Sequence, residues 1–588
     1  MDMRWSLEEL YPSFDSESFQ KDFEEVFEKI ETIKEWSKNN LDSIESSVSK
    51  IENYLKMQIE FGNLYSRLYE YASLTMSVDA KNETALQVIE KLEAKITDLA
   101  EPLTKFKKWL NSLGNLDTLI CCSDLLKEHT FYLKELILET NYLLSDEEEI
   151  LLAKMKNTGS KAWEKLQELL SSTLLVDITI NGESKQLPLP IVRNMAYEKD
   201  AELRKTAYEA ELKAYDKIAE ASAASLNGIK GEVITESKMR GYHSPLEMTL
   251  IHSRMDQETL DAMFSSIMES LPSFRKYLKK KAELLGHKNG IPFYDLFAPM
   301  GEVEMKFTYE EAKDFIVKNF SKFSPALGNF AKNAFEKRWI DAEPRDGKRG
   351  GAFCSNIHAI KESRILSNFT GTFNDVVTLA HELGHGYHGE CLKNETYLNS
   401  DYPMPIAETA SIFAETIIIN AALKEASPEE AFAILESDLM SSTQVIVDIY
   451  SRFLFEDELF KRREHGSLSV NELKKMMLES QKEAYGEGLD ENYLHPYMWV
   501  CKPHYYYADY NYYNFPYAFG LLFSKGLYAL YLERGETFVK EFDDLLAATG
   551  KSNLVDVAKK MNIDLHSVEF WKNSLKLIEK DIDKFIHL

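Results

Sequence analysis

Apolar residues recur at three- and four-residue intervals among lysines and glutamates through most of the chain, as in Phe23-Val26-Phe27-Ile30 and Trp163-Leu166-Leu169-Leu170. That spacing lays one apolar stripe along a helix, so the pattern predicts a mainly α fold of long amphipathic helices. The helical pattern gives way in two places. Val176 to Ile180, the pair Asn181-Gly182 and then Lys185-Gln186-Leu187 predict a β-hairpin near 176–187, because Asn-Gly supplies the positive-φ residues of a tight turn. From about Asp341 to Asn374, β-branched, aromatic and glycine residues displace the helical pattern. A small β-sheet is expected there, immediately before the next helix. No Pro/Gly/Ser-rich linker or internal repeat punctuates the chain. The expected boundary is therefore a soft one near Pro188 to Arg193, dividing a helical portion 1–190 that carries the hairpin from a second portion 191–588.

The chain has 588 residues, 44% hydrophobic and 28% charged, with a formal net charge of −27. The first two percentages are those of a folded globular protein. The charge argues against nucleic acid or an anionic membrane as a partner. Five cysteines, Cys121, Cys122, Cys354, Cys391 and Cys501, form no CxxC pair; an odd count without metal-ligand spacing suits a reducing compartment. The stretch Met1-Asp2-Met3-Arg4-Trp5-Ser6-Leu7-Glu8-Glu9 has no apolar leader character, and no uninterrupted apolar run approaches a membrane span. A cytoplasmic protein is expected.

Asn374-Asp375 is placed to cap a helix that continues Val376-Val377-Thr378-Leu379-Ala380-His381-Glu382-Leu383-Gly384-His385. This is an HExxH segment. Residues four apart share a helical face, so His381 and His385 can present their imidazoles to one zinc ion, with Glu382 beside the open coordination position. Val376, Val377, Leu379 and Ala380 make the helix a buried one, where a bare imidazole pair is costly unless it binds something. A catalytic zinc needs a third protein ligand. The extended metzincin pattern would require Gly and His where this chain has His388 and Cys391, so that class is disfavoured. The expected third ligand is Glu408, on a helix opened by Met404-Pro405 and continuing to Glu415. Glu415, seven residues on and on the same face, is either a hydrogen-bond acceptor for a ligand imidazole or a solvated glutamate. His388 is either a substrate contact, a support for the ligands or a structural histidine.

A third segment runs from Trp499 to Gly520, with His504 and seven tyrosines between Tyr505 and Tyr517. Most of these rings are expected to be core. One or two should face the metal, where a tyrosine hydroxyl can stabilise an oxyanion and a histidine can anchor substrate backbone.

Together these segments resemble the oligoendopeptidase F group of thimet-oligopeptidase-like zinc metallopeptidases. The residues that carry the resemblance are Trp5 to Tyr11, Arg240 to Glu247, Gly350 to Cys354, Asn368 to Thr372, His381 to His388, Ala407 to Ser411, and Pro503-His504 with the tyrosines after it. The resemblance implies one zinc ion per chain on His381, His385 and Glu408, with Glu382 as general base. It implies catalytic roles for His504, Tyr510 and Tyr517, the family's middle tyrosine falling on Tyr512 or Tyr513. Gly351, Ala352 and Phe353 look like the family's edge strand that pairs with substrate backbone. The implied fold is a large, mainly helical metallopeptidase, two helical portions around a deep substrate channel with a small sheet next to the HExxH helix. The implied activity is cleavage of internal bonds in short peptides by a monomer. The competing readings are a helical zinc carboxypeptidase and a catalytically silent, metal-containing peptide-binding protein.

Overall fold

A computed structural model describes residues 2–301 and 305–587. Helix accounts for 72% of it. Among the described residues, paired strands are confined to one hairpin and one three-stranded sheet. In chain order, the elements used below are α1 (Glu17–Asn40), α2 (Ser47–Val78), the hairpin strands β1 (Leu175–Ile180) and β2 (Glu183–Pro188), the sheet strands β3 (Ile340–Asp341), β4 (Phe353–Ile357) and β5 (Glu362–Leu366), then α3 (Phe373–Leu392), α4 (Met404–Ala407) and α5 (Thr409–Glu425).

The chain folds as two compact units, each discontinuous in sequence. The first comprises Met1–Tyr142, Met305–Lys424 and Leu530–Ile563; the second comprises Leu143–Glu304, Glu425–Ala529 and Asp564–Leu588. A single cut near residue 190 therefore divides the second unit instead of separating the two.

In the first unit, Phe19, Val26 and Ile30 of α1 pack with Leu68 and Leu74 of α2, and this core reaches Ile357 and Leu366 of the sheet. Each large side chain so buried contributes about 1.5–3 kcal/mol. Trp5, Leu10 and Tyr11 belong to the same core. Their segment is tied to the sheet by Arg364, whose buried guanidinium donates to the Ser6 carbonyl at 2.8 Å and pairs with Glu9 at 3.1 Å, as a buried charge requires. The sheet order is β3-β5-β4, with β3 parallel and β4 antiparallel to β5. The strand β4 is thus an edge.

The run Met404–Glu425 is apolar and long enough by composition to cross a membrane. It is instead core, broken into α4 and α5: Phe413 of α5 packs against Phe323, Phe538 and Phe542 with ring centroids 4.9, 5.8 and 4.7 Å away.

In the second unit, β1 and β2 pair from Leu175↔Pro188 to Ile180↔Glu183. Asn181 and Gly182 at the turn have φ of 53° and 82°, the left-handed pair of a type I′ hairpin. Val176 and Ile178 bury one face of β1 while β2 stays largely exposed.

Candidate metal centre

The helix α3 starts one residue before the Asn374-Asp375 pair expected to cap it. Thr372 is the cap: its hydroxyl accepts from the Asp375 N–H at 3.2 Å, and the Asp375 carboxylate accepts from the N–H groups of Thr372 (3.0 Å) and Thr370 (2.9 Å). This reciprocal box satisfies donors that the first turn leaves open. It fixes where the helix begins, and hence which face His381 and His385 share two turns later.

Glu408 is not inside a continuous helix. It occupies a one-residue break between α4 and α5, and Ser411 donates its hydroxyl to the Glu408 carboxylate (2.9 Å) and carbonyl (3.0 Å). The break turns that carboxylate onto the HExxH helix. His381 Nε2 and His385 Nε2 lie 3.1 Å apart, and each lies 3.3 Å from Glu408 Oε2. Ligand atoms on a tetrahedral zinc at about 2.0–2.1 Å stand about 3.3–3.4 Å apart. The triangle therefore has the edge length of a zinc face, and two imidazoles with one carboxylate are a donor set suited to that ion.

Electrostatics point the same way. Burial works against a charge on His381, but Glu408 and Glu415 outweigh it and hold the ring's proton affinity well above that of an ordinary imidazole. Burial pushes the Glu408 carboxyl up, yet the two imidazoles outweigh it and hold the group well below the usual carboxylate range. The three groups favour positive charge among them, which a divalent cation supplies. On the other side of the His381 ring, Nδ1 donates to Glu415 Oε1. Glu415 is thus the acceptor that leaves Nε2 free of its proton for a metal.

Glu382 follows His381 directly, so its side chain leaves the helix about 100° round from the ligand. It is 6% exposed, and among the described residues its carboxylate takes no hydrogen bond. Burial pushes its carboxyl above the usual range, His381 and His385 draw it back, and Glu408 and Glu415 push it up again.

Phe353 opens the edge strand β4, opposite Leu366 of β5, and Gly351-Ala352 lead into it. Gly351 has φ of 78°, and its carbonyl accepts from the Asn368 amide at 3.0 Å.

His388 takes the structural place. It is fully buried, stacks on Tyr402 with centroids 4.0 Å apart, and its Nε2 lies 2.8 Å from the Thr549 hydroxyl. That hydroxyl donates to the Leu546 carbonyl, so the imidazole N–H is the donor. Burial, with His385 nearby, lowers the His388 pKa to about 3. A neutral ring with no exposed edge has no contact to offer a substrate.

The tyrosine-rich segment belongs to the second unit. Tyr505, Tyr506 and Tyr512 are buried, and Tyr512 donates its hydroxyl to Asp457 at 3.1 Å. Tyr513 faces the other way, its ring 4.7 Å from His504 and 6.0 Å from Tyr517. Tyr510 is 65% exposed and touches the same group through Tyr513. His504, Tyr510, Tyr513 and Tyr517 thus form one cluster, from which Tyr512 is excluded. Asn514 Oδ1 accepts from Arg452 Nη1 (3.0 Å) and from His504 Nδ1 (2.8 Å). Arg452 can only donate, which fixes the amide orientation and leaves His504 Nε2 as an acceptor. Burial lowers the His504 pKa and keeps that ring neutral.

Residues 194–577 match Peptidase family M3, and residues 114–174 match Oligopeptidase F. The chain belongs to peptidase family M3. This M3 chain is 26% identical to the Oligopeptidase PepF of Bacillus subtilis (strain 168) over 99% of its own length and 87% of the relative's. It is 25% identical to the chromosomal Oligoendopeptidase F of Lactococcus lactis subsp. cremoris, over 99% and 96% of the two chains. Among solved structures, a chain from Chlamydophila abortus superposes with a TM-score of 0.85 at 24% identity, covering 99% and 98%. The oligoendopeptidase-F of Enterococcus faecium does so at 0.71 and 18%, covering 97% and 98%. The family makes the protein a metallopeptidase.

Two features of this M3 site escape the motif. Asn356, on β4, donates its amide to the His385 carbonyl at 3.0 Å and accepts from the Ser363 hydroxyl at 2.7 Å; it bolts the edge strand to the ligand helix. Gly384, Gly386 and Gly389 let α3 be approached closely: a Cβ would meet the Ala410 carbonyl, the Phe330 ring and the Asn356 amide respectively. The glycine spacing in HELGHGYHG is the signal for the second. The first left none.

Proposed function

We propose that this peptidase is a zinc-dependent oligoendopeptidase that cuts internal bonds of short, unstructured peptides. The observation that carries the reading is the triangle of His381 Nε2, His385 Nε2 and Glu408 Oε2 with the buried Glu382 carboxylate following the first ligand. A zinc ion held by those three residues would polarise the scissile carbonyl and lower the pKa of a water to about 7. Glu382, desolvated and without a hydrogen bond of its own, accepts a proton from the attacking water and returns it to the leaving amine. Glu415 keeps the His381 ring oriented through Nδ1. The segment from Gly351 through Phe353, leading into the edge strand β4, offers backbone donors and acceptors to an extended peptide, which reads chain direction with little demand on side chains. By family resemblance Tyr517, with Tyr510, donates to the developing oxyanion, and Tyr513 contacts substrate. His504 Nε2 accepts from a substrate backbone N–H. All five cysteines are free thiols, which suits a reducing cytoplasm.

The test is incubation of the metal-loaded protein with peptides from a few residues to protein length, reading every product mass over time. Internal cuts confined to the shorter peptides are expected. Trimming of single C-terminal residues would assign a carboxypeptidase instead, and no cleavage with zinc present would leave a binding protein.

A further inference from the structure

The second unit holds a cavity of about 460 Å³ that plays no part in the reading above. Its volume is that of a small-molecule site. One wall is apolar and aromatic, with Val192, Tyr197, Phe293 and Phe297. The lining also includes Gln444 and Asp448, the two ends of a five-residue π-helical turn set between the helices Pro428–Thr443 and Ile449–Arg463. Such turns are rare and recur where a helix must present side chains to a ligand.

Most charges around this space are already matched. Arg204 pairs with Asp295 at 2.7 Å, Arg193 with Glu211 at 3.2 Å, and Asp448 with Arg452 at 2.5 Å; Glu168 is exposed to solvent. Lys502 also lines the cavity, and among the described residues its ammonium makes neither a hydrogen bond nor an ion pair. Burial, with Arg452 nearby, lowers its pKa to about 8 against the opposing pull of Asp448, so it is still a cation at neutral pH. Its counter-charge is shared, because the Asp448 carboxylate that interacts with it is already held by Arg452, and a cation short of counter-charge attracts an anion. His495 lines the same space, is 2% exposed, and its Nδ1 has no hydrogen-bond partner.

We infer that this cavity binds a small organic carboxylate with an apolar or aromatic body, the carboxylate on Lys502 and the body against Tyr197, Phe293 and Phe297. The probe is N-acetyl-L-phenylalanine, with its primary amide as the uncharged control, titrated calorimetrically into the full-length, metal-loaded protein. The acid should bind saturably with a dissociation constant on the order of millimolar, as its size implies, and the amide about tenfold more weakly or worse. A second measurement needs no variant: brief treatment with a small amine-acylating reagent and peptide mapping should show Lys502 labelled, and protected by the acid but not by the amide. Because a carboxylate can also reach a metal, the titration is repeated on Glu408→Gln, which should keep the affinity, and on Lys502→Met, which should lose about tenfold or more. Equal affinity for acid and amide overturns the inference. So does an unprotected Lys502, an absence of saturable binding, or binding that Glu408→Gln abolishes and Lys502→Met retains.

Discussion

Gly384 and Ala410 are packed so closely that a Cβ on the glycine would lie 2.5 Å from the Ala410 carbonyl oxygen. This glycine stands between His381 and His385, and Ala410 stands two residues after Glu408. If His381, His385 and Glu408 hold the metal, that contact sets how near the Glu408 carboxylate comes to the two imidazoles. Gly384→Ala must push α3 and α5 apart, at about 1–3 kcal/mol for overpacking. Zinc affinity, read by competition with a chromophoric chelator, should fall at least about tenfold because the ligand triangle opens. Undiminished affinity would mean that the contact does not set the site.

The hydrogen bond from His381 Nδ1 to Glu415 makes a second, separable prediction. Glu415→Gln keeps the shape and removes the charge, and should lower zinc affinity or activity by about 10–100-fold. Glu415→Asp, which restores the charge on a shorter arm, should recover part of the loss. Wild-type zinc affinity in Glu415→Gln would make Glu415 a bystander.

His388 predicts a pH dependence of stability. Folded, its pKa is lowered to about 3; unfolded, it returns to about 6.5. A depressed imidazole stays neutral in the folded protein while the unfolded chain takes up a proton. Its contribution is therefore complete above about pH 6.5, and falls by about 1.4 kcal/mol per pH unit below that until pH 3. Urea unfolding at pH 7.5 and pH 5 should show this component, about 2 kcal/mol, in the wild type and not in His388→Gln. An identical pH response in the two proteins would contradict it.

How much of this was legible in the sequence differs by element. The hairpin was, because Asn181-Gly182 demands its turn locally. The meeting of His381 and His385 was, because residues four apart need only helical geometry to share a face. The place of Glu408 was legible in identity but not in conformation: the break before α5 depends on contacts with Ser411 and with the ligand helix, which no periodicity encodes. The two units were not legible, since each is assembled from three separated stretches held by long-range packing. His388 reads as a site residue by its position after HExxH, and only the enclosing Tyr402 and Thr549 show otherwise. Tyr512 and Tyr513 are adjacent and chemically identical in sequence; the positive φ of Tyr512 turns one into the core and leaves the other beside His504.

That division separates the tyrosines experimentally. Tyr517→Phe should lower kcat by about 10²–10³ if its hydroxyl donates to the oxyanion. Tyr512→Phe, which loses only the hydrogen bond to Asp457, should cost about 1 kcal/mol of stability and leave kcat alone. Steady-state kinetics on one internally quenched peptide decides both, and an unaltered kcat in Tyr517→Phe would assign that ring to packing.

If Glu382 moves the proton at a metal held by His381, His385 and Glu408, its carboxylate is dispensable for metal content and required for turnover. Wild type and Glu382→Gln are purified alike, their zinc content is measured, and cleavage of the same short peptide is followed by product mass. The account predicts one zinc per chain in both proteins, with cleavage in the wild type and none in the variant. Near-normal cleavage by Glu382→Gln, or a wild type that cleaves without metal, would contradict it.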